Sequence, residues 1–259
     1  MAGAHPRDPA VYPSEPLVFA KPLARDFKNL SVAWCLDLGG LPLDRRVRAV
    51  LEAQRKVFAG LGCEVENVCP DLTGADEIFL TIRAWNYWHT LGPLLKEHRA
   101  RMKPEAVWQI ESGSRFSGAD IARAMNRHGE LMERMRRFQD QYEFLVCAVN
   151  QVPPFDAALR WPREIEGVAM ENYLSWMKSA YWISATFHPA ISVPAGFTDD
   201  GLPVGIQIVG RYRDDLGVLQ IAHAFEQATG FGHRRPEVAL GLATSEKDDS
   251  RKGAKTRRF

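Results

Sequence analysis

The spacing of apolar and polar positions predicts alternating strands and helices along this chain. Residues 30–36 are mostly apolar, which is typical of a buried strand, and residues 63–68 are predicted to form a second short strand. Between these runs, apolar residues recur at helical spacing, after Asp44 as a cap and up to Gly62 as a stop. A strand, a helix and a strand in this order indicate a βαβ unit with a parallel strand pair.

The middle of the chain has a helical pattern. An aromatic-rich helical segment over residues 75–101 is interrupted by Gly92 and Pro93. Ser117 and Asp120 form a capping-box signature ahead of a long amphipathic helix, and the pattern of residues 144–149 indicates a further strand.

The last third contains a predicted hairpin. Residues 190–197 and 204–211 are strand-like runs joined by Thr-Asp-Asp-Gly at residues 198–201. A helix follows, with acidic residues at its start and Gly230 at its end. Parallel and antiparallel connections separated by helices predict an α/β fold, a mixed β-sheet flanked by helices.

Composition places the chain among soluble globular proteins. It has 259 residues, 46% hydrophobic and 25% charged, with a formal net charge of +1. Neither nucleic acid nor a membrane is therefore expected as a partner, and the absence of a signal-like apolar run near the amino terminus favours a cytoplasmic location. We expect one partial domain over residues 1–245 and a disordered basic tail over residues 246–259, with six Lys or Arg against three acids.

The four cysteines show neither CxxC spacing nor a histidine at metal-site spacing, so no metal ligand is assigned. Cys35 and Cys147 fall in predicted strands and are expected to be reduced core residues, since a disulfide framework is uncommon at this chain length. Gln207 is expected to have a structural role in its strand, and His128 a place in the core or at its edge. His188 precedes the hairpin, where a ligand contact and a rigid proline-containing loop remain equally open interpretations.

Two runs resemble the carboxyl-terminal signature of the amidase-signature family. They are PAISVPAGF at residues 189–197 and GLPVGIQIVG at residues 201–210. Gly-Gly-Leu-Pro at residues 39–42 and Gln-Val-Pro-Pro-Phe at residues 151–155 are also similar to family members. The resemblance covers residues 2–235 and corresponds to the carboxyl-terminal half of the family fold.

The resemblance implies hydrolysis of amide carbon–nitrogen bonds without a cofactor. Family members use a serine nucleophile, a second serine in a cis peptide and a lysine. These residues lie in the family's amino-terminal half, and this sequence has no Gly-Gly-Ser-Ser-Gly-like run; the nearest stretch, residues 113–118, differs in composition and order. No catalytic residue is therefore assigned, and the chain alone is expected to be inactive.

The resemblance also implies a wall of the substrate pocket. Gln151 and Pro153 follow one strand, and Thr186, Phe187 and His188 precede the hairpin; both loops face the acyl side of the substrate in the family. Phe187 stands where family members usually carry a small residue such as glycine.

Three hypotheses follow from the resemblance. The chain is a truncated amidase that acts on a small-molecule amide once an amino-terminal half completes it, a non-catalytic assembly partner, or an independent binding domain that keeps part of the pocket. Half of a mixed sheet leaves strand edges and apolar surface unpaired, so we also expect self-association.

Overall fold

The computed structural model describes Arg7 and residues 16–234, and a five-stranded sheet lies at its centre. Its strands are β1 (Ser31–Trp34), β2 (Glu64–Asn67), β3 (Phe144–Ala148), β6 (Ala190–Phe197) and β7 (Pro203–Gly210), while β4 (Glu164–Ile165) and β5 (Val168–Ala169) form a separate short hairpin.

The sheet is mixed, with strand order β2-β1-β3-β7-β6. Strand β1 pairs in parallel with both β2 and β3, whereas β7 is antiparallel to β3 and to β6. Among the described residues β2 and β6 are therefore the edge strands, and β6 has a register shift between Pro194 and Gly196.

Helices cover both faces of the sheet, which confirms the predicted α/β architecture. One core joins the sheet to α1, α2 and α8, where the Phe58 and Phe225 rings stack 5.2 Å apart. The other core joins it to α3, α6 and α7. Burial on both faces explains why β3, and β1 after Ser31, consist of apolar residues. The helices are α1 (Arg45–Glu52), α2 (Arg55–Gly60), α3 (Ala75–Leu91), α4 (Leu95–His98), α5 (Pro104–Gly113), α6 (Gly118–Gln141), α7 (Lys178–Ser184) and α8 (Asp215–Thr229).

Side-chain caps fix several element boundaries. Ser117 and Asp120 form the predicted capping box at the start of α6. The Asp214 carboxylate accepts a hydrogen bond from the Gly217 N–H at the start of α8, and Gly230 ends that helix at φ 65°. The single helix predicted before β2 is instead divided into α1 and α2.

The interpretation of Cys35 as a reduced core residue is wrong. Cys35 follows β1 and forms a disulfide with Cys69, which follows β2. The bond forms because parallel neighbouring strands place the residues after their carboxyl ends side by side. Cys147 is buried and free as predicted, and its sulfur lies 3.6 Å from the Gln207 amide nitrogen, so Gln207 is a buried structural residue.

The predicted tail at residues 246–259 lies outside the described residues. Within the described part of the chain, no helix has both the length and the apolar character needed to cross a membrane.

Candidate substrate-binding site

The loop before β6 holds two of the predicted site residues in a buried network. The Thr186 hydroxyl donates a hydrogen bond to the Ile183 carbonyl at 2.7 Å. His188 is also buried, and its Nδ1 lies 2.8 Å from the Thr186 carbonyl, so Nδ1 carries the proton and donates it. Burial lowers the pKa of His188, and the hydrogen bond to Thr186 opposes only part of that effect. The imidazole is therefore neutral near pH 7.

Phe187 lies between these two residues in sequence but points away from the core. Its side chain is 63% exposed, and its backbone has a φ of 56°. The left-handed region costs a residue with a Cβ roughly 1–2 kcal/mol, and a bulky residue is seldom found there. The position is therefore one that glycine fits without strain, in agreement with the small residue that the family resemblance implies.

An apolar pocket adjoins Phe187. It has a volume of about 380 Å³ and lies between α3, α6 and the end of α7, a size typical of small-molecule sites. The Arg83 guanidinium lies over the Tyr87 ring, 4.4 Å from its centroid, and hydrogen-bonds the Gln109 side chain at 3.3 Å. The residues that line the pocket are mostly apolar: Ile78, Phe79, Ile82, Arg83, Asn86, Tyr87, His128, Ser184, Ala185 and Phe187.

His128, which lines this pocket, has an unpaired polar atom. The imidazole packs edge-on against Phe187, and its Nε2 is buried without a hydrogen-bond partner among the described residues. Burial lowers the pKa of His128, while a hydrogen bond with the Ala185 backbone partly offsets this. His188 Nε2 is likewise buried and unpartnered within the described region. Buried nitrogens of this kind usually find a water or a ligand group.

The other two predicted site residues lie elsewhere. Gln151 is buried and satisfied, because its amide nitrogen donates to the Pro42 carbonyl at 3.0 Å and its oxygen accepts from the Lys178 N–H at 2.8 Å. Pro153 lines a different pocket of about 230 Å³, together with Trp176 and Ser192.

The five predicted residues therefore do not form one site within the described chain. Gln151 follows the carboxyl end of β3, whereas Pro189 lies beside Gly210, which pairs with Phe144 at the amino end of β3. The two loops thus lie at opposite ends of the strands. Their assignment to a substrate stays a prediction, and the Phe187 loop is the one that borders an apolar pocket with an unpaired polar atom.

A cluster of hydrogen bonds around the Asp76 carboxylate, near the pocket, is not predicted from the sequence. Asp76 in the first turn of α3 accepts hydrogen bonds from Lys178 Nζ at 3.0 Å, Trp182 Nε1 at 3.4 Å and the Tyr181 hydroxyl. Burial alone would raise the pKa of Asp76, but the hydrogen bonds from Tyr181 and Lys178 outweigh it and hold that pKa below its ordinary value.

The same cluster contacts a residue that lines the pocket. Burial, together with the Asp76 carboxylate, raises the pKa of Tyr181, which stays a neutral donor. Its ring stacks on Phe79 at 4.3 Å, and Phe79 lines the apolar pocket. Asp76 and Lys178 are 102 positions apart, so no local pattern in the sequence links them.

The Gly- and Ser-containing stretch at residues 113–118 has a structural explanation. A Cβ at Gly113 would lie 1.9 Å from the Ala84 carbonyl oxygen, so glycine permits the close contact of α5 with α3. Ser117 at the other end caps α6. This stretch is the junction between α5 and α6.

Comparison with known proteins settles the family. The family profile described as Amidase matches residues 1–219. The chain belongs to this amidase family. An acylamidase of Rhodococcus erythropolis is 28% identical over 253 residues, which are 94% of this chain and 51% of that protein. One subunit of the glutamyl-tRNA(Gln) amidotransferase of Brevibacillus brevis is 58% identical over a shorter stretch of 53 residues, 20% of this chain and 11% of that protein.

Solved structures agree on the fold. A bacterial aryl acylamidase of the amidase signature family superposes with a TM-score of 0.80 at 24% identity, and the match covers 90% of this chain and 51% of that one. A 6-aminohexanoate cyclic dimer hydrolase gives a TM-score of 0.78 at 18% identity, over 91% of this chain and 52% of that one. This amidase-family chain thus spans about half the length of these relatives.

Proposed function

We propose that this chain supplies the carboxyl-terminal half of an amidase that hydrolyses amide carbon–nitrogen bonds when joined to the half that carries the serines and the lysine. The observation that carries the proposal is the family match over residues 1–219 in a sequence without a Gly-Gly-Ser-Ser-Gly-like run. Without a serine activated by a base, the chain lacks the nucleophile that amide hydrolysis by this route requires.

Within that assembly, the pocket beside Phe187 receives the apolar part of the amide. Its wall is apolar except for a few polar groups, of which His128 Nε2 is buried and unpaired. An apolar wall with a few polar anchors is the general pattern of small-molecule sites. The substrate class proposed is therefore an amide with an apolar acyl or aryl group.

An amidase assay tests this proposal directly. The 259-residue chain alone should hydrolyse an aryl amide such as p-nitroacetanilide and a short aliphatic amide no faster than buffer does. A polypeptide that also contains the serine- and lysine-bearing half should hydrolyse at least one of them. Turnover by the chain alone, lost on heat denaturation, would show that the nucleophile lies within these residues.

The polypeptide in its source provides a second test. An antibody against residues 200–230 should detect a species about twice the 29.2 kDa mass of this chain, or a 29.2 kDa species that co-purifies with a separate half. A free 29.2 kDa species with no such companion contradicts the proposal and favours a non-catalytic role.

A non-catalytic binding role is the second candidate. The unpaired Nε2 atoms of His128 and His188 favour it, because such atoms can hydrogen-bond a ligand without any chemical step. Isothermal titration of the chain with an apolar amide distinguishes this case: saturable binding without hydrolysis supports it, and the absence of binding rejects it.

A further inference from the structure

Three potential metal ligands meet at the carboxyl ends of β1 and β2, away from the pocket beside Phe187. Cys35 and Asp37 follow β1, and Cys69 follows β2. The ligand atoms of these three side chains lie within 4.8 Å of one another. Because the parallel pairing of β1 and β2 brings them together, their spacing along the sequence gives no sign of a site.

We propose that Cys35, Cys69 and Asp37 bind a zinc-class divalent cation when the two cysteines are reduced. Two thiolates and a carboxylate form a mixed sulfur and oxygen donor set, which suits zinc and the metals that replace it. Magnesium and calcium prefer oxygen ligands alone and are not expected here.

The spacing of the backbone fits this ligand set. The Cα atoms of Cys35 and Cys69 are 5.1 Å apart. With zinc–sulfur bonds of ~2.3 Å, two thiolates on a tetrahedral ion stand roughly 3.8 Å from each other. Cys69 is exposed, so its side chain has room to rotate toward that separation.

The Asp37 carboxylate is already held in place. Arg48 donates a hydrogen bond to Asp37 Oδ2 at 2.7 Å, and the Gly39 N–H donates to Oδ1 at 3.2 Å. Groups that hydrogen-bond a ligating carboxylate orient it and raise metal affinity.

Charge also favours a cation at this place. After reduction and deprotonation, the three ligands carry three negative charges, and Arg48 offsets one of them. The negative charge that remains attracts a divalent ion, which reduces the repulsion among the ligands.

A cavity gives the ion access and room for a further ligand. Its volume is about 310 Å³, and Arg48, Glu52 and Asn67 border it together with the three ligands. This volume holds several waters, so solvent can complete a tetrahedral shell.

The disulfide makes the site dependent on redox state. A dithiol reductant converts the Cys35–Cys69 bond to two thiols and becomes a cyclic disulfide itself. The cation then replaces the two thiol protons. In the oxidised form both sulfurs share a bond and cannot act as thiolate ligands, so oxidation and metal binding exclude each other.

Cobalt(II) is a suitable probe because its thiolate complexes absorb light. The full chain is reduced anaerobically with a phosphine, desalted and titrated with Co²⁺, after a thiol count has confirmed four free cysteines. The expected result is a thiolate-to-cobalt charge-transfer band that saturates at one ion per chain and disappears on addition of zinc. The oxidised chain should show no such band.

Matched variants assign the ligands. Cys69→Ser should abolish the charge-transfer band at one equivalent of cobalt, whereas Cys63→Ser, at a buried free cysteine, should keep it. Asp37→Asn should weaken binding at least about tenfold. A fully reduced wild-type chain without the band, or a band that survives in a Cys69→Ser chain with an unchanged circular dichroism spectrum, would overturn the proposal.

Discussion

The Phe187 ring stands edge-on against the His128 imidazole, with their centroids 4.3 Å apart and their planes at 84°. The contact joins the loop before β6 to the middle of α6. Phe187 makes it from a left-handed backbone conformation with φ 56°. An aromatic contact at the mouth of the pocket is thus maintained against backbone strain, a pattern that often marks functional positions.

Replacing Phe187 separates backbone strain from ring packing. Phe187→Gly removes both the Cβ and the ring, whereas Phe187→Ala removes the ring and keeps the Cβ. We expect the Gly variant to have a free energy of unfolding about 1 kcal/mol above that of the Ala variant, because only glycine relieves the left-handed strain. Urea denaturation of both variants measures the difference. An Ala variant as stable as the Gly variant would contradict a strained backbone.

Gly113→Ala tests the close contact between α3 and α5. The added Cβ would lie 1.9 Å from the Ala84 carbonyl oxygen, so the helices must separate. We expect a loss of about 3 kcal/mol or more in the free energy of unfolding. Gly129→Ala is the matched control, since nothing lies within 4 Å of its Cβ position on α6. The control should gain about 0.5–1 kcal/mol from helix propensity, and equal effects of the two changes would refute the contact.

The Asp76 cluster predicts a pH-dependent contribution to stability. The folded-state pKa of Asp76 lies below its ordinary value of 3.8. The contribution is therefore fully present above about pH 4 and is lost as the pH falls through the folded-state pKa. Asp76→Asn should lower the free energy of unfolding by about 1–2 kcal/mol at neutral pH, with the gap closing in acid.

The free energy of unfolding of wild type and Asp76→Asn is measured from neutral pH to below the ordinary pKa of Asp76. Asp199→Asn in the exposed hairpin turn is the control and should leave the pH profile unchanged. A gap between wild type and Asp76→Asn that persists unchanged at the acid end would contradict a role for the charged carboxylate.

The edge strand β6 predicts self-association of the isolated chain. Its outer side has no partner strand among the described residues. Ala190→Lys should reduce association, because a lysine at a strand edge opposes pairing between sheets. Val168→Lys, at an exposed position on the separate β4–β5 hairpin, is the control and should not. Light scattering across a concentration series measures the effect, and a wild-type monomer with a concentration-independent melt would exclude it.

Local signals in the sequence are sufficient to predict the hairpin and α8. The Thr-Asp-Asp-Gly turn and the residues Asp214 and Gly230 act on their immediate neighbours, so their effect is readable in the chain itself. The break between α1 and α2 is not predicted, because apolar spacing continues through Ala53 and Gln54 without glycine or proline.

Contacts between residues that are far apart in the sequence cannot be predicted from local sequence patterns. The disulfide of Cys35 with Cys69 and the Asp76 cluster both depend on which strands and helices become neighbours. The family resemblance groups Gln151 with Phe187, yet one loop follows β3 and the other precedes β6. Since β3 and β6 run in the same direction, the loop after β3 and the loop before β6 lie at opposite ends of the strands.

Pro194 limits how another strand can extend the sheet along β6. Proline has no N–H to donate, and the register shift beside it interrupts the regular pairing. An incoming strand therefore meets a gap in the row of donors near the middle of β6 and pairs without interruption only over the short stretch before it. Self-association through this edge is therefore confined to the short stretch before Pro194, which includes Ala190.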